Sequence, residues 1–233
     1  FPSVEAAVNT TILTIQSGIP VARIELLDET SVKAVNRFAK LDLLEKPTLF
    51  FEFHGSKQGV AEQAEMVGAI ATEEGGEGFN WATKTEDRSK LWQARHDAYY
   101  AALALKPGCK GLTTDVCVPI SRLADAIGET RADIADSTLT AAIVGHVGDG
   151  NFHTIFLIEP GNEAELAEAK NLSNRMVERA LAMGGTCTGE HGIGYGKMTY
   201  LEREFGPAAD LMRTIKRAID PMNIMNPGKV IRV

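Results

Sequence analysis

The apolar positions along this chain change rhythm several times, and each change predicts an element. Residues 20–28 (PVARIELLD) and 48–55 (TLFFEFHG) are short, rich in β-branched and aromatic side chains, and read as strands. Glu29-Thr30-Ser31 opens a helix after the first of them. Between Lys57 and Glu74, residues Val60, Ala61, Ala64, Met66, Val67 and Ile70 form an apolar stripe at helical spacing. Glycines 75, 76 and 78 stop it. A further helix spans Thr85 to Leu105, with Leu91, Trp92, Arg95 and Tyr99 along it. Residues 113–120 (TTDVCVPI) read as a strand closed by Pro119, and Ser121 as the cap of a helix running to Ala135. Two strands follow, 139–146 and 151–158. The helix from Asn162 to Met183 keeps Leu166, Ala169, Leu172, Met176, Val177 and Ala180 on one face, and Gly184-Gly185 ends it. A loop covers 188–194, and a last helix, 207–219, is broken by Asp220-Pro221. Helices alternate with hairpins, so the class is α+β: a ferredoxin-like antiparallel sheet with helices packed mainly on one face.

Composition narrows what such a domain does. The 233 residues are 44% hydrophobic and 24% charged, values that suit one globular domain over 1–233. A net charge of −7, with no Lys/Arg block, speaks against a nucleic-acid surface. No apolar run reaches the roughly 18–20 residues of a membrane span. Cys109, Cys117 and Cys187 make an odd set without a CxxC, which suits a reducing compartment and gives neither a disulfide framework nor a thiolate zinc site. The chain opens Phe1-Pro2-Ser3 with no signal peptide, as expected for the tail of a longer polypeptide whose own address lies elsewhere.

Chemistry concentrates in GHVGDGNFH, residues 145–153, which holds two of the five histidines. A two-residue turn at Asp149-Gly150 makes a type I′ hairpin and sets His146 directly opposite His153. Opposed residues of an antiparallel pair share a face, with Cβ atoms about 4.5–5.5 Å apart, close enough for two imidazoles to reach one ion. The plainer reading is a hairpin with two hydrogen-bonded histidines. Glu190, in TGEHGIG between small residues, supplies a carboxylate. Two histidines and a carboxylate suit zinc, manganese or iron with positions left open. His191 then stands beside the metal as a proton acceptor near neutral pH. The spacing is not HExxH, so metalloprotease helix geometry does not apply.

GHVGDGNFH, TGEHGIG and the terminal DPMNIMNPGK together resemble the C-terminal domain of FAD-linked oxidases of the vanillyl-alcohol oxidase type. ARIELLD (22–28), EFHGS (52–56), LWQARHDAYYA (91–101) and TTDVCVP (113–119) extend the resemblance over nearly the whole chain. It is nearest the D-lactate dehydrogenase and glycolate oxidase D-subunit branch. The resemblance implies that His146, His153 and Glu190 hold a divalent metal (zinc or manganese), that His191 is the catalytic base, and that Arg95 binds the substrate carboxylate with Tyr99 on the same helix face. It implies FAD held mostly by an N-terminal domain of the same polypeptide, faced by Asn226 and Lys229, with residues 198–233 as a helical tail returning toward it. The substrate implied is a 2-hydroxy acid, oxidised to a 2-keto acid in the bacterial cytoplasm or the mitochondrial matrix. The related hydroxyglutarate enzymes carry an asparagine two residues past the second histidine; Ile155 stands here and favours a small or apolar acid. GIGYG (192–196) follows no strand of a βαβ unit and is no dinucleotide fingerprint.

Each residue has a plainer role as well. Arg95 can pair with Asp97 or Glu86 on the helix surface, and Tyr99 can be core. Asn226 and Lys229 can simply shape the terminal turn. His54 reads as a satisfied core histidine, His96 as a solvated one, Cys117 as a small buried residue and Phe50, Phe51 and Phe53 as core. A free-standing metal-dependent hydrolase, and a non-catalytic module with a structural metal, remain as alternative functions. An interdomain face exposed in isolation also allows a homodimer.

Overall fold

A computed structural model describes residues 1–82 and 84–233. The elements run α1 (Val4–Gln16), β1 (Val21–Leu27), α2 (Glu29–Ala39), β2 (Thr48–Phe53), α3 (Lys57–Glu73), α4 (Thr85–His96), α5 (Ala98–Leu105), β3 (Lys110–Thr113), β4 (Val116–Cys117), α6 (Leu123–Ala135), β5 (Thr140–His146), β6 (Asn151–Ile158), α7 (Glu163–Ala182), α8 (Met198–Phe205) and α9 (Pro207–Ile219). The strands form one antiparallel sheet in the order β2-β1-β5-β6-β3, with β4 also on β6. The α+β class is as expected.

The heavier helical layer lies on one face of the sheet. There Val4, Val8, Leu123, Ile127, Met176 and Val177 from α1, α6 and α7 bury Ile24, Leu26, Ile143 and Phe152. The alternate residues of the same strands, Leu27, Ala142, Val144, Ile155 and Leu157, pack on Val32, Val35, Ala98, Ala101 and Ala102 of α2 and α5. Every residue of β6 is buried, as a central strand covered on both faces requires. The candidate chemistry sits on the second face, at the end of the β5–β6 hairpin.

Several elements depart from the pattern-based expectation. Helix α1 was not foreseen: Thr10, Thr11 and Thr14 break an apolar stripe, yet each is fully buried and donates its hydroxyl to the carbonyl four residues back. Such back-bonding hides a polar side chain inside a helix. Ser3 caps its start. The helix expected over 85–105 breaks at Asp97 into α4 and α5. Of the strand expected over 113–120, only Thr113, the last residue of β3, and Val116–Cys117, which form β4, are strand. Ser121 lies inside a single 3₁₀ turn, Ile120–Arg122, and α6 begins at Leu123 with no side-chain cap. His54 is exposed rather than core, with Nε2 3.0 Å from Glu52 Oε1. Phe50, Phe51 and Phe53 are half-buried on the edge strand β2, and Cys117 is half-buried too.

The hairpin register is the correction that matters most. A 3₁₀ turn at Val147–Asp149, closed by Gly150 at φ +77°, makes the loop four residues long instead of two. His146 therefore pairs with Asn151, and His153 with Val144. The two histidines are diagonal neighbours on one face rather than directly opposed, because a shift of two residues preserves the face.

Candidate metal and substrate site

The diagonal placement still brings the imidazoles together, with ring centroids 5.7 Å apart and nearly perpendicular planes. His153 is 4% exposed. Its Nδ1 lies 3.0 Å from the Thr114 carbonyl, which can only accept, so Nδ1 carries the proton and Nε2 is bare in the neutral ring. Burial holds its pKa below the ordinary histidine value, which keeps it neutral. His146 Nδ1 donates to Glu25 Oε1 at 2.7 Å, leaving its Nε2 free as well. Glu25 raises the His146 pKa through that hydrogen bond, against the opposing effect of burial.

Glu190 Oε1 stands 3.0 Å from His153 Nε2 and 3.4 Å from His146 Nε2. His153 Nε2 is buried and makes no hydrogen bond. Three lone-pair donors thus face one another, all within 4.8 Å, with no proton between them when the rings are neutral. A divalent cation is what such a set accommodates, and two histidines plus one carboxylate leave coordination positions open. Asp115, His153 and His191 form a second cluster of the same compactness. It is the poorer candidate, because Asp115 already accepts hydrogen bonds from Asn151, Thr188, the His191 amide and Lys197. His191 stacks on His153, with centroids 4.9 Å apart and planes 17° from parallel.

These donors line a cavity of about 240 Å³. Arg95, His96, Ala98 and Tyr99 form its helical wall, and Thr113, Val144 and Ile155 its floor. Arg95 and Tyr99 both reach it although α4 and α5 are separate helices. Tyr99 is not core. Its ring lies against Gly111 of β3, where an added Cβ would come within 2.8 Å of the ring. Arg95 pairs with neither Asp97 nor Glu86; its Nε donates to Glu25 Oε2 at 3.0 Å. Its Nη2 lies 2.9 Å from the same oxygen, but at an angle that leaves this buried group without a hydrogen bond. His96 is exposed, as expected, at the cavity mouth. Asn226 and Lys229 lie outside this cavity. Asn226 takes φ +48° and its carbonyl accepts the Lys229 amide, so both residues shape the terminal turn. Lys229 Nζ also rests 5.4 Å from the Tyr195 ring centroid.

Sequence reasoning did not single out two residues of the site, although both lie in segments that carry the resemblance, ARIELLD and TTDVCVP. Glu25, 5% exposed, ties Arg95 to His146. Asp115, 1% exposed, holds the 188–191 loop by accepting from the Thr188 hydroxyl at 2.6 Å and from the Glu190 and His191 amides at 3.2 and 3.0 Å. Burial alone would raise the Asp115 pKa. The bonds from Thr188, His191 and Asn151, with the Lys197 charge, outweigh it and hold the carboxyl well below the usual range. Each residue lies in a segment that reads as strand.

The architecture and site define a class: a sheet-and-helix domain that presents a two-histidine, one-carboxylate set and a half-buried arginine to a small cavity. By sequence the chain belongs to the family described as FAD linked oxidases, C-terminal domain, whose pattern matches residues 1–230. It is 51% identical to "Probable D-lactate dehydrogenase, mitochondrial" of Danio rerio, covering 100% of this chain and 47% of that protein. The "D-lactate dehydrogenase [cytochrome], mitochondrial" of Arabidopsis thaliana is 45% identical over 99% of this chain and 41% of its own length. "Glycolate oxidase subunit GlcD" of Bacillus subtilis is 31% identical over 99% and 49%. The chain spans about half the length of these relatives. Among solved structures, 4-ethylphenol oxidase from Gulosibacter chungangensis superposes with a TM-score of 0.71 at 14% identity, covering 99% of this chain and 52% of that one. That likeness establishes the fold alone.

Proposed function

We propose that this chain is the substrate and metal domain, residues 1–233, of a flavin-dependent dehydrogenase that oxidises a small D-2-hydroxy acid, of the lactate or glycolate kind, to the 2-keto acid. The observation that carries the reading is the convergence of three bare metal donors and a half-buried arginine on one cavity. His146, His153 and Glu190 would hold a zinc or manganese ion. When bound, the metal supplies Lewis acidity and FAD the electron sink. Arg95 binds the substrate carboxylate: it lines the cavity, and Glu25 engages its Nε and Nη2, so Nη1 is the edge left to a ligand. His191 accepts the hydroxyl proton, and its stacking on His153 fixes the ring at the metal set. Ile155 and Val144 make part of the floor apolar, which favours a substrate with a small or apolar side chain. Tyr99 closes the wall beside them.

The flavin belongs to the remaining half of the relatives' length, and the C-terminal tail, 198–233, turns toward that half. Leu211, Ile215 and Ile219 on α9, with Met222, Ile224 and Met225 beyond it, are exposed apolar side chains on neighbouring turns, as an interdomain face requires. Asn226 and Lys229 lie in the same tail and would face the flavin across it. In isolation the same face allows two copies to pair. The relatives' names favour mitochondria over the bacterial cytoplasm, and no helix among the described residues is long and apolar enough to cross a membrane. No observation favours a free-standing hydrolase or a non-catalytic module.

The test is turnover of D-lactate and glycolate by the intact enzyme carrying His191→Gln. Loss of a positioned proton acceptor lowers the rate by about 10²–10⁴-fold. Turnover equal to wild type contradicts the assignment.

A further inference from the structure

We propose that Glu25 is the positioning residue of this site, one carboxylate that aims the metal ligand His146 with one oxygen and the substrate arginine Arg95 with the other. The proposal rests on the metal reading above. Glu25 lies on β1, which pairs with β5 through Leu26↔Gly145 and Leu27↔Val144; extending that register by one residue sets Glu25 opposite His146. Side chains of an antiparallel pair in register share a face, so the fold delivers the carboxylate to the edge of the imidazole. Its Oε1 accepts from His146 Nδ1 at 2.7 Å and its Oε2 from Arg95 Nε at 3.0 Å. Glu25 does not line the cavity, so it touches neither substrate nor metal and acts through its two partners.

Two consequences follow from the chemistry. A carboxylate on Nδ1 fixes the tautomer that leaves His146 Nε2 bare and turned toward His153 and Glu190, and it raises the donor strength of the ring. The same carboxylate holds the Arg95 side chain against β1, so the guanidinium is in place before any ligand arrives. A buried carboxylate with nothing to pair with is costly, whereas this one is paired on both oxygens. Glutamine cannot replace it: an amide that accepts from His146 must turn its own NH₂ toward Arg95, donor against donor. Aspartate keeps the charge but is one methylene too short to reach both partners.

The experiment is a cobalt(II) titration of the metal-free chain, read by the visible absorption of the bound ion, for wild type, E25Q, E25D and H146A. The expected result is about one cobalt per chain in the wild type, an affinity about 10–100-fold weaker in E25Q, and a smaller loss in E25D. A thermal melt of each metal-free variant serves as the folding control. Should E25Q fail to fold, E25D, which retains the charge that Arg95 requires, carries the test. If E25Q and E25D bind cobalt within about twofold of wild type while H146A loses it, the metal site stands and the positioning role of Glu25 is overturned. If the wild type binds no cobalt, both readings are overturned.

Discussion

Asp115 has almost no contact with solvent, yet it organises the loop that carries Glu190 and His191. It gathers two backbone amides, a hydroxyl, an amide side chain and a lysine onto one carboxylate. Asp115→Asn swaps an acceptor for a donor that faces the Thr188 hydroxyl and the loop amides. A stability loss of about 1–3 kcal/mol in urea unfolding is expected, together with weaker metal binding. An unchanged midpoint would mean that the loop holds itself. Gly189 is constrained by the same cluster, since a Cβ there would come within 2.0 Å of Asn151 Nδ2. Gly189→Ala should therefore shift the loop and weaken metal binding, read by the same cobalt titration; wild-type affinity would show that the loop can accommodate the methyl group. At this scale the sequence was legible where chemistry is concentrated: His146, His153, Glu190 and His191 stand out among glycines. Glu25 and Asp115 did not, because a single acid inside a strand-like run looks the same whether it faces water or the core.

Turns and caps decide where the elements place those residues. The β5–β6 strands were readable from their alternation, but the loop between them was not. The favoured Asp-Gly pair suggested a two-residue turn, whereas packing against the 115–119 segment sets a longer one. An added Cβ at Gly150 would sit 2.1 Å from the Val118 carbonyl, and the residue already has φ +77°. Gly150→Ala is expected to cost about 1–3 kcal/mol by thermal denaturation, and a loss below that range would show the turn to be pliable. Helix α2 offers a pH-dependent case. Its cap Asp28 accepts from the Ser31 amide at 2.8 Å, and burial, only partly offset by the Ser31 hydrogen bonds, raises its pKa from 3.8 to about 6. The folded protein then holds that proton more tightly than the unfolded chain does. The contribution of Asp28 to stability should fall as pH rises from about 4 to about 6 and stay low above that. Asp28→Asn keeps a capping acceptor and removes the charge. It should flatten this limb and raise stability at pH 7, on the order of 2–3 kcal/mol. Parallel stability curves for the two proteins would contradict the raised pKa.

At the scale of the molecule, the α+β class and the antiparallel sheet followed from hairpins alternating with helices. The second helical layer did not: α5 packs on the sheet through small residues, Ala98, Ala101 and Ala102, which give little amphipathic signal, beside Val32 and Val35 of α2. Helix α9 shows the opposite case, a regular apolar face that leaves Leu211, Ile215 and Ile219 exposed. A periodic stripe predicts a partner without saying whether that partner lies in the same domain. The double variant Leu211→Lys/Ile215→Lys should leave the thermal midpoint of this chain nearly unchanged, since exposed positions usually shift stability by less than about 0.5 kcal/mol. It should also reduce self-association in sedimentation velocity. A large fall in midpoint would place these side chains in the core of the domain.

The central claim is that His146, His153 and Glu190 form a divalent-metal site. Its most direct test is the metal content of the purified chain at neutral pH, measured beside His153→Ala. About one zinc or manganese ion per wild-type chain, lost in the variant, is the predicted result. A wild-type chain that holds no metal, even after exposure to zinc and manganese, would contradict it.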